Sequence, residues 1–115
     1  MLPSMDMREL VAFAELQDKR FSVLDDGKST QQERLYAQMV KVGEEVGELC
    51  DAVLAHANAQ RQDKLDNMEE DALPKELADV VITLFILAAR FKVDLPAALE
   101  KKIAIISERF KDVQV

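Results

Sequence analysis

Tryptophan is absent from this sequence of 115 residues, histidine and cysteine occur once each, and glycine and proline three times each. Each scarcity excludes something. One histidine, His56, completes no Ser-His-Asp set, and three glycines make no glycine-rich phosphate loop. One cysteine, Cys50, leaves no disulfide framework; it suits a reducing cytosol and reads most simply as a small core residue. So little turn chemistry favours a few long elements over many short ones. The chain also lacks a membrane-length apolar run. Its longest, Leu77 to Ala89, is about 13 residues interrupted by Asp79 and Thr83, where a span needs roughly 20. The N-terminus, Met1-Leu2-Pro3-Ser4-Met5-Asp6, has no basic region and no apolar run of signal length. A soluble, cytoplasmic protein with no membrane partner is expected.

Apolar residues make up 49% of the chain and aromatics 5%, enough for one domain with one small core. We expect a single domain over residues 1–115, with its core completed by homo-oligomerisation. Acidic residues outnumber basic ones 22 to 15, a formal charge of −7. That balance argues against binding a nucleic-acid backbone. A phosphorylated small molecule stays within reach, because a bound divalent metal reverses the local sign.

Periodicity predicts an all-α bundle of four to five helices. The first runs from about Asp6 to Phe21, with Leu10, Phe13, Ala14 and Leu16 inward. Asp25-Asp26-Gly27-Lys28-Ser29 breaks it, and Ser29 or Thr30 caps the next, Glu33 completing a capping box with Thr30. The second helix extends from about Thr30 to Ala57, carrying a stripe of Leu35, Met39, Val42, Val46, Leu49 and Val53. Gly43 and Gly47, one turn apart beside that stripe, suggest close approach by another backbone. The polar stretch from Asn58 to Asp71 reads as a connection. The third helix starts near Pro74, a good first-turn residue, and reaches Phe91. It is apolar on every side, which predicts burial all round. Asp94 caps a fourth helix from Pro96 to about Lys111, with Leu99, Ile103, Ile106 and Phe110 inward.

Two acidic clusters sit where these helices should be apolar. Glu76 and Asp79 are three residues apart and share a face that Thr83 continues. No basic residue lies between Glu76 and Ala89. A carboxylate buried there without a partner costs several kcal/mol on the order given by ion desolvation, and Mg²⁺ is the partner its oxygens suit best. On the second helix Glu45 and Glu48 are likewise three apart, with Glu44 turned further away. Two helices giving two acids each can hold one or two hard cations. His56 reads as a surface helix residue.

Glu44-Glu45-x-x-Glu48, 27 intervening residues, then Glu76-x-x-Asp79 resembles the MazG-like branch of the all-α nucleoside triphosphate pyrophosphatases. The flanking words Val42-Gly43-Glu44-Glu45-Val46-Gly47-Glu48-Leu49 and Lys75-Glu76-Leu77-Ala78-Asp79-Val80 fit as well, as does Val93-Asp94-Leu95-Pro96-Ala97-Ala98-Leu99. The resemblance implies a homodimer or homotetramer that cleaves a (d)NTP to the monophosphate and pyrophosphate. It implies Mg²⁺, with Mn²⁺ as a substitute, as the cofactor. Glu45, Glu48, Glu76 and Asp79 would be the metal ligands, and Glu44 and Glu45 the catalytic acids, with Glu44 assisting a ligand or orienting the attacking water. The resemblance also implies that Lys41, one turn before Glu45, and Lys75 reach phosphate oxygens. Relatives often carry Lys-x-x-x-Asn in the last helix to hold the nucleotide; here Lys102 is followed by Ile106, and Arg109 remains as a phosphate contact. Phe13, Phe21 and Tyr36 are candidates for a base pocket or for plain core.

Two other classes compete. A catalytically silent helical interaction module would use the acids for a structural metal or a basic partner. A di-iron carboxylate bundle expects Glu-x-x-His pairs, but Val53 stands three residues before His56.

Overall fold

The computed structural model describes residues 4–57 and 72–115. Among these residues it has four helices and no strand: α1 (Met7–Asp25), α2 (Gln31–His56), α3 (Ala72–Arg90) and α4 (Leu95–Arg109). This is the all-α class expected. The stretch at 58–71, expected to connect the second and third helices, lies outside the described residues.

Local chemistry fixes the helix ends. Asp6 accepts the Glu9 amide at 2.8 Å to start α1. Thr30 and Glu33 form the anticipated capping box, each side chain accepting the other's backbone N–H at 3.0 and 2.9 Å. Asp94 accepts the Ala97 amide at 3.1 Å, and Pro96 sits in the first turn of α4. Past α1 the chain turns through two left-handed residues, Asp26 (φ 53°) and Gly27 (φ 73°), a reversal that glycine makes without strain.

α3 lies between α1 and α2. Leu10 and Ala14 of α1 meet Phe85 and Ile86 of α3 in the core, with Val11, Ile82 and Leu95 packed around them. Removing a phenylalanine or isoleucine side chain from water contributes about 2–3 kcal/mol, so this small cluster is the main clamp between α1 and α3. α2 runs antiparallel to α3: the backbone carbonyl of Arg34 meets Arg90, and Gln38 meets Thr83. Near the joint of the three helices, Arg90 donates Nε to Asp18 Oδ1 at 2.7 Å and Nη1 to the Arg34 carbonyl at 2.9 Å. Arg34 donates to the same Asp18 oxygen at 3.3 Å, and the Arg90 guanidinium lies 5.7 Å from the centre of the Phe21 ring.

Several burial expectations need correction. α3 is not buried all round, since Leu77, Val81 and Leu84 face outward at 40–49% exposure. α4 has a single buried residue, Pro96, and its expected inner face of Leu99, Ile103, Ile106 and Phe110 is exposed. On α2 the buried face is Gln38, Val42, Glu45, Ala52 and Ala55, while Met39, Val46 and Val53 are open. On α1 Leu10 and Ala14 are buried, but Phe13 and Leu16 are not. The physical reason is common to all four helices. Each apolar surface is wider than one neighbour can cover, so one edge packs within the chain and the other faces away. Gly43 and Gly47 belong to the open side: among the described residues a Cβ built at either meets nothing within 4 Å, so no described backbone approaches them. Cys50 is likewise exposed rather than in the core.

Candidate metal centre

The buried face of α2 carries a carboxylate at its middle. Gln38, Val42 and Glu45 succeed one another at helical spacing toward α3, and the Glu45 side chain retains 9% of its exposure. Antiparallel packing brings the first turns of α3 opposite it, and with them Glu76 and Asp79. One carboxylate oxygen from each of Glu45, Glu76 and Asp79 lies within 4.8 Å of the other two. Glu48, one turn beyond Glu45, is near enough for its charge to act on the Glu76 carboxyl. Three of the four carboxylates expected as ligands thus converge across the α2–α3 interface, and Glu48 is an exposed neighbour of that group.

Their relative burial reverses the expectation. Asp79 is exposed and Glu76 half-buried, while Glu45 is the enclosed member. Because α3 is open on one side, burial of that helix does not enclose Asp79. The strained half of the cluster is the contact between Glu45 and Glu76. Glu45 Oε2 and Glu76 Oε2 are both sequestered from solvent without a hydrogen-bond partner. Native proteins rarely leave buried polar atoms so. Desolvation pushes the Glu76 carboxyl above its ordinary range, and the negative charges of Glu48, Asp79 and Glu45 push it further.

A hard divalent cation fits this donor set. All the donors are carboxylate oxygens, two of them lack any partner, and they converge from two helices. Octahedral bonds of about 2.1 Å set ligand oxygens some 3–4 Å apart, so modest side-chain rotation would gather these three around one ion.

The remaining candidates divide. Lys41 sits at the mouth of the cluster, its Nζ 3.2 Å from Glu45 Oε1 and 3.6 Å from Glu44 Oε2. Those carboxylates, Glu45 foremost, hold its ammonium above the usual lysine range. Glu44 is exposed and meets Lys41 rather than the inward oxygens. Lys75 is exposed in the first turn of α3, next to Glu76. Lys102 and Arg109 lie on the exposed α4, and their side chains make no hydrogen bond or ion pair with any described residue. The structure of one chain therefore does not bring them to the cluster. Of the aromatics, Phe21 lies under Arg90, and the exposed Tyr36 accepts a hydrogen bond from Gln32 at 2.6 Å. His56 is an exposed residue of the last turn of α2.

Two features went unseen in the sequence. One is the buried Gln38, whose amide reaches the Thr83 carbonyl at 3.0 Å. The other is the Asp18–Arg34–Arg90 node, whose members are up to 72 positions apart. The first left a faint signal, a polar residue two turns before Glu45 on one face; the second left none.

The MazG nucleotide pyrophosphohydrolase domain model matches residues 32–114, which takes in α2, α3 and α4 together with the whole acidic cluster. The chain belongs to this family of nucleotide pyrophosphohydrolases, whose enzymes are metal-dependent. No curated protein matches the chain in a sequence comparison. α1 lies outside the matched segment, yet it packs into the same core through Leu10 and Ala14.

Proposed function

We propose that this protein is a Mg²⁺-dependent nucleoside triphosphate pyrophosphohydrolase, cleaving a (d)NTP to the monophosphate and pyrophosphate. The observation that carries the reading is the convergence of Glu45, Glu76 and Asp79 within 4.8 Å inside a MazG domain. Glu45, Glu48, Glu76 and Asp79 are the ligands, for Mg²⁺ or for Mn²⁺ in its place. When bound, the cation would neutralise the triphosphate and lower the pKa of a coordinated water. Glu45 is both a ligand and, with Glu44, one of the catalytic acids. Glu44, exposed at the rim, orients the attacking water and takes its proton. Lys41 and Lys75 meet phosphate oxygens at the mouth. Lys102 and Arg109 join them only if α4 of one chain approaches the cluster of another.

Residues 1–115 act as one domain in this reading, assembled as a homodimer or homotetramer. Support comes from the apolar side chains left open: Val81 and Leu84 on α3, and Leu99, Ile103 and Ile106 on α4. Of these, Val81, Leu84 and Leu99 border an apolar groove of about 550 Å³ that also takes in Met7, Leu10 and Phe91. Contiguous exposed apolar side chains are what an interface with a second copy would cover, which supports this reading. No helix among the described residues is long and apolar enough to cross a membrane. The single cysteine suits a reducing compartment, and we place the protein in the cytoplasm.

The test is a panel of canonical and modified nucleoside triphosphates with Mg²⁺ and identification of the products. Monophosphate and pyrophosphate in equal amounts support the reading. No turnover of any triphosphate, with metal binding intact, would assign the acids to a structural metal in an interaction module.

A further inference from the structure

The acidic cluster already contains a cation of its own. Lys41 Nζ lies 3.2 Å from Glu45 Oε1, the more distant contact being 3.6 Å to Glu44 Oε2. The three side chains differ in exposure: 9% for Glu45 against 51% for Lys41 and 59% for Glu44. A half-exposed ammonium thus reaches inward to the most enclosed carboxylate of the site. Helix stability is a weak account of this contact, since a lysine four residues before a glutamate is the poorer of the two orders on a helix. The buried charge of Glu45 is a better one. A carboxylate removed from water requires a counter-charge, and Lys41 supplies one to Oε1 while Oε2 stays without a partner.

That carboxylate belongs to the cluster that converges with Glu76 and Asp79. An ammonium paired with Glu45 at 3.2 Å competes for its charge with a divalent ion held by the three. Lysine is suited to leave, having a flexible stem and a compact charge with rotatable donors. Glu44 remains as a second partner at the rim. We propose that Lys41 is a resident counter-cation, which holds Glu45 until a divalent metal is bound and is then released toward the anionic substrate. This rests on the metal-site reading above. It gives Lys41 two effects of opposite sign: it weakens binding of metal alone and strengthens binding of the triphosphate.

The experiment is titration of the full chain with Mn²⁺ alone by calorimetry, without nucleotide, at about 0.15 M salt, where exposed charges beyond roughly 8 Å are screened. Lys41→Met should bind Mn²⁺ on the order of three- to tenfold more tightly, more than an exposed ion pair would give and consistent with the enclosed partner. Lys41→Arg should bind no more tightly than the parent. Lys28→Met makes the same charge change in the turn before α2, which begins ten residues (roughly 15 Å of helix) ahead of Lys41, and should leave the affinity as it was. A parent that binds Mn²⁺ and a Lys41→Met variant of equal or weaker affinity would overturn the exchange while leaving the metal site standing. A parent that binds no divalent ion would overturn both. A second readout needs no mutant protein beyond assignment. The ¹⁵N resonance of the Lys41 ammonium, identified by its loss in Lys41→Arg, should move as Mg²⁺ saturates the chain. An unmoved resonance at saturation also overturns the exchange.

Discussion

Gln38 on α2 donates its side-chain amide to the backbone carbonyl of Thr83 on α3 at 3.0 Å, in the buried seam two turns from Glu45 and one turn from Asp79. Thr83 turns its own hydroxyl back to the carbonyls of Asp79 and Val80 at 3.0 and 2.9 Å. One hydrogen bond between the helices therefore fixes their axial register close to the place where carboxylates from both must converge. Apolar contacts slide with little penalty, whereas an amide facing a carbonyl has one good position. Gln38→Leu keeps most of the volume and removes the bond. It should cost about 1 kcal/mol in thermal or urea unfolding, the usual net worth of a neutral hydrogen bond. A positioning role requires more. Mn²⁺ affinity should fall several-fold at temperatures where the variant is fully folded, and an affinity equal to the parent's would leave Gln38 a stability residue only.

Glu76 provides the pH dependence. Its folded-state pKa is raised above the ordinary 4.5 by desolvation and by Glu48, Asp79 and Glu45. The fold thus favours the protonated acid. Stability from this group is present in full below pH 4.5 and is lost as the pH rises through the higher folded value. At neutral pH the metal-free protein carries the repulsion. Glu76→Gln should therefore raise the melting temperature of the metal-free protein near pH 7 and flatten its dependence on pH just above 4.5. The same variant should lose most of the stabilisation that Mg²⁺ confers on the parent. A variant less stable than the parent in the absence of metal would contradict the assignment of strain to this carboxylate.

How far the sequence discloses this site can be judged from particular residues. Capping chemistry is local, so the starts of α2 and α4 are legible in Thr30, Glu33 and Asp94. The four candidate ligands are legible because spacings of three place them on shared helix faces. Their relative burial is not, because it depends on which edge of α3 meets which edge of α2. Periodicity marks an apolar face but not its partner. The stripe through Met39, Val46 and Val53 is real as a pattern, yet the packed edge runs through Gln38, Val42 and Glu45. Glu45 thereby became the enclosed acid and Asp79 the exposed one. Arg90 and Asp18, 72 positions apart, share nothing that a local reading detects.

The acids themselves should separate by role in a substitution series. Asp79→Asn and Glu76→Gln each remove one of the charges proposed to hold the metal, and hydrolysis should fall by more than about 100-fold, beyond the range expected for a lost outer partner of a metal ligand. Mn²⁺ affinity should fall with it. Glu44→Gln should also depress turnover but leave Mn²⁺ affinity within about threefold of the parent, since the exposed Glu44 contacts Lys41 and not the inward oxygens. Parallel measurement of kcat and metal affinity distinguishes the two patterns. A Glu44→Gln variant with unchanged kcat would remove Glu44 from the chemistry.

Arg90 offers a control at the other end of α3. Its side chain is 9% exposed and satisfies Asp18 and the Arg34 carbonyl together. Arg90→Met should cost about 3 kcal/mol in chemical denaturation, because Asp18 loses its best partner while remaining partly buried. Asp79 and Arg90 are eleven residues, roughly 16 Å, apart along the helix. Mn²⁺ affinity of the folded variant should therefore stay within twofold of the parent, where additivity of distant sites holds. A matching fall in affinity would mean that the three-helix joint, and not the Gln38–Thr83 contact alone, sets the metal geometry.

The open apolar edges lead to the last prediction. Leu84 and Ile106 are 40% and 41% exposed in the single chain and belong to faces that no described helix covers. If a second copy covers them, a charge at either position must be buried against apolar surface without a partner, and assembly becomes unfavourable. Light scattering after size exclusion should show Leu84→Glu and Ile106→Lys shifted to lower mass than the parent. Lys102 and Arg109 share α4 with Ile106, and neither pairs with Glu45, Glu76 or Asp79 of its own chain. If α4 of one copy approaches the cluster of another, the lower-mass variants should also show a raised KM for the triphosphate, with Mn²⁺ affinity kept. A parent that already runs as a monomer would leave these two cations without a route to the site and would confine substrate contact to Lys41 and Lys75.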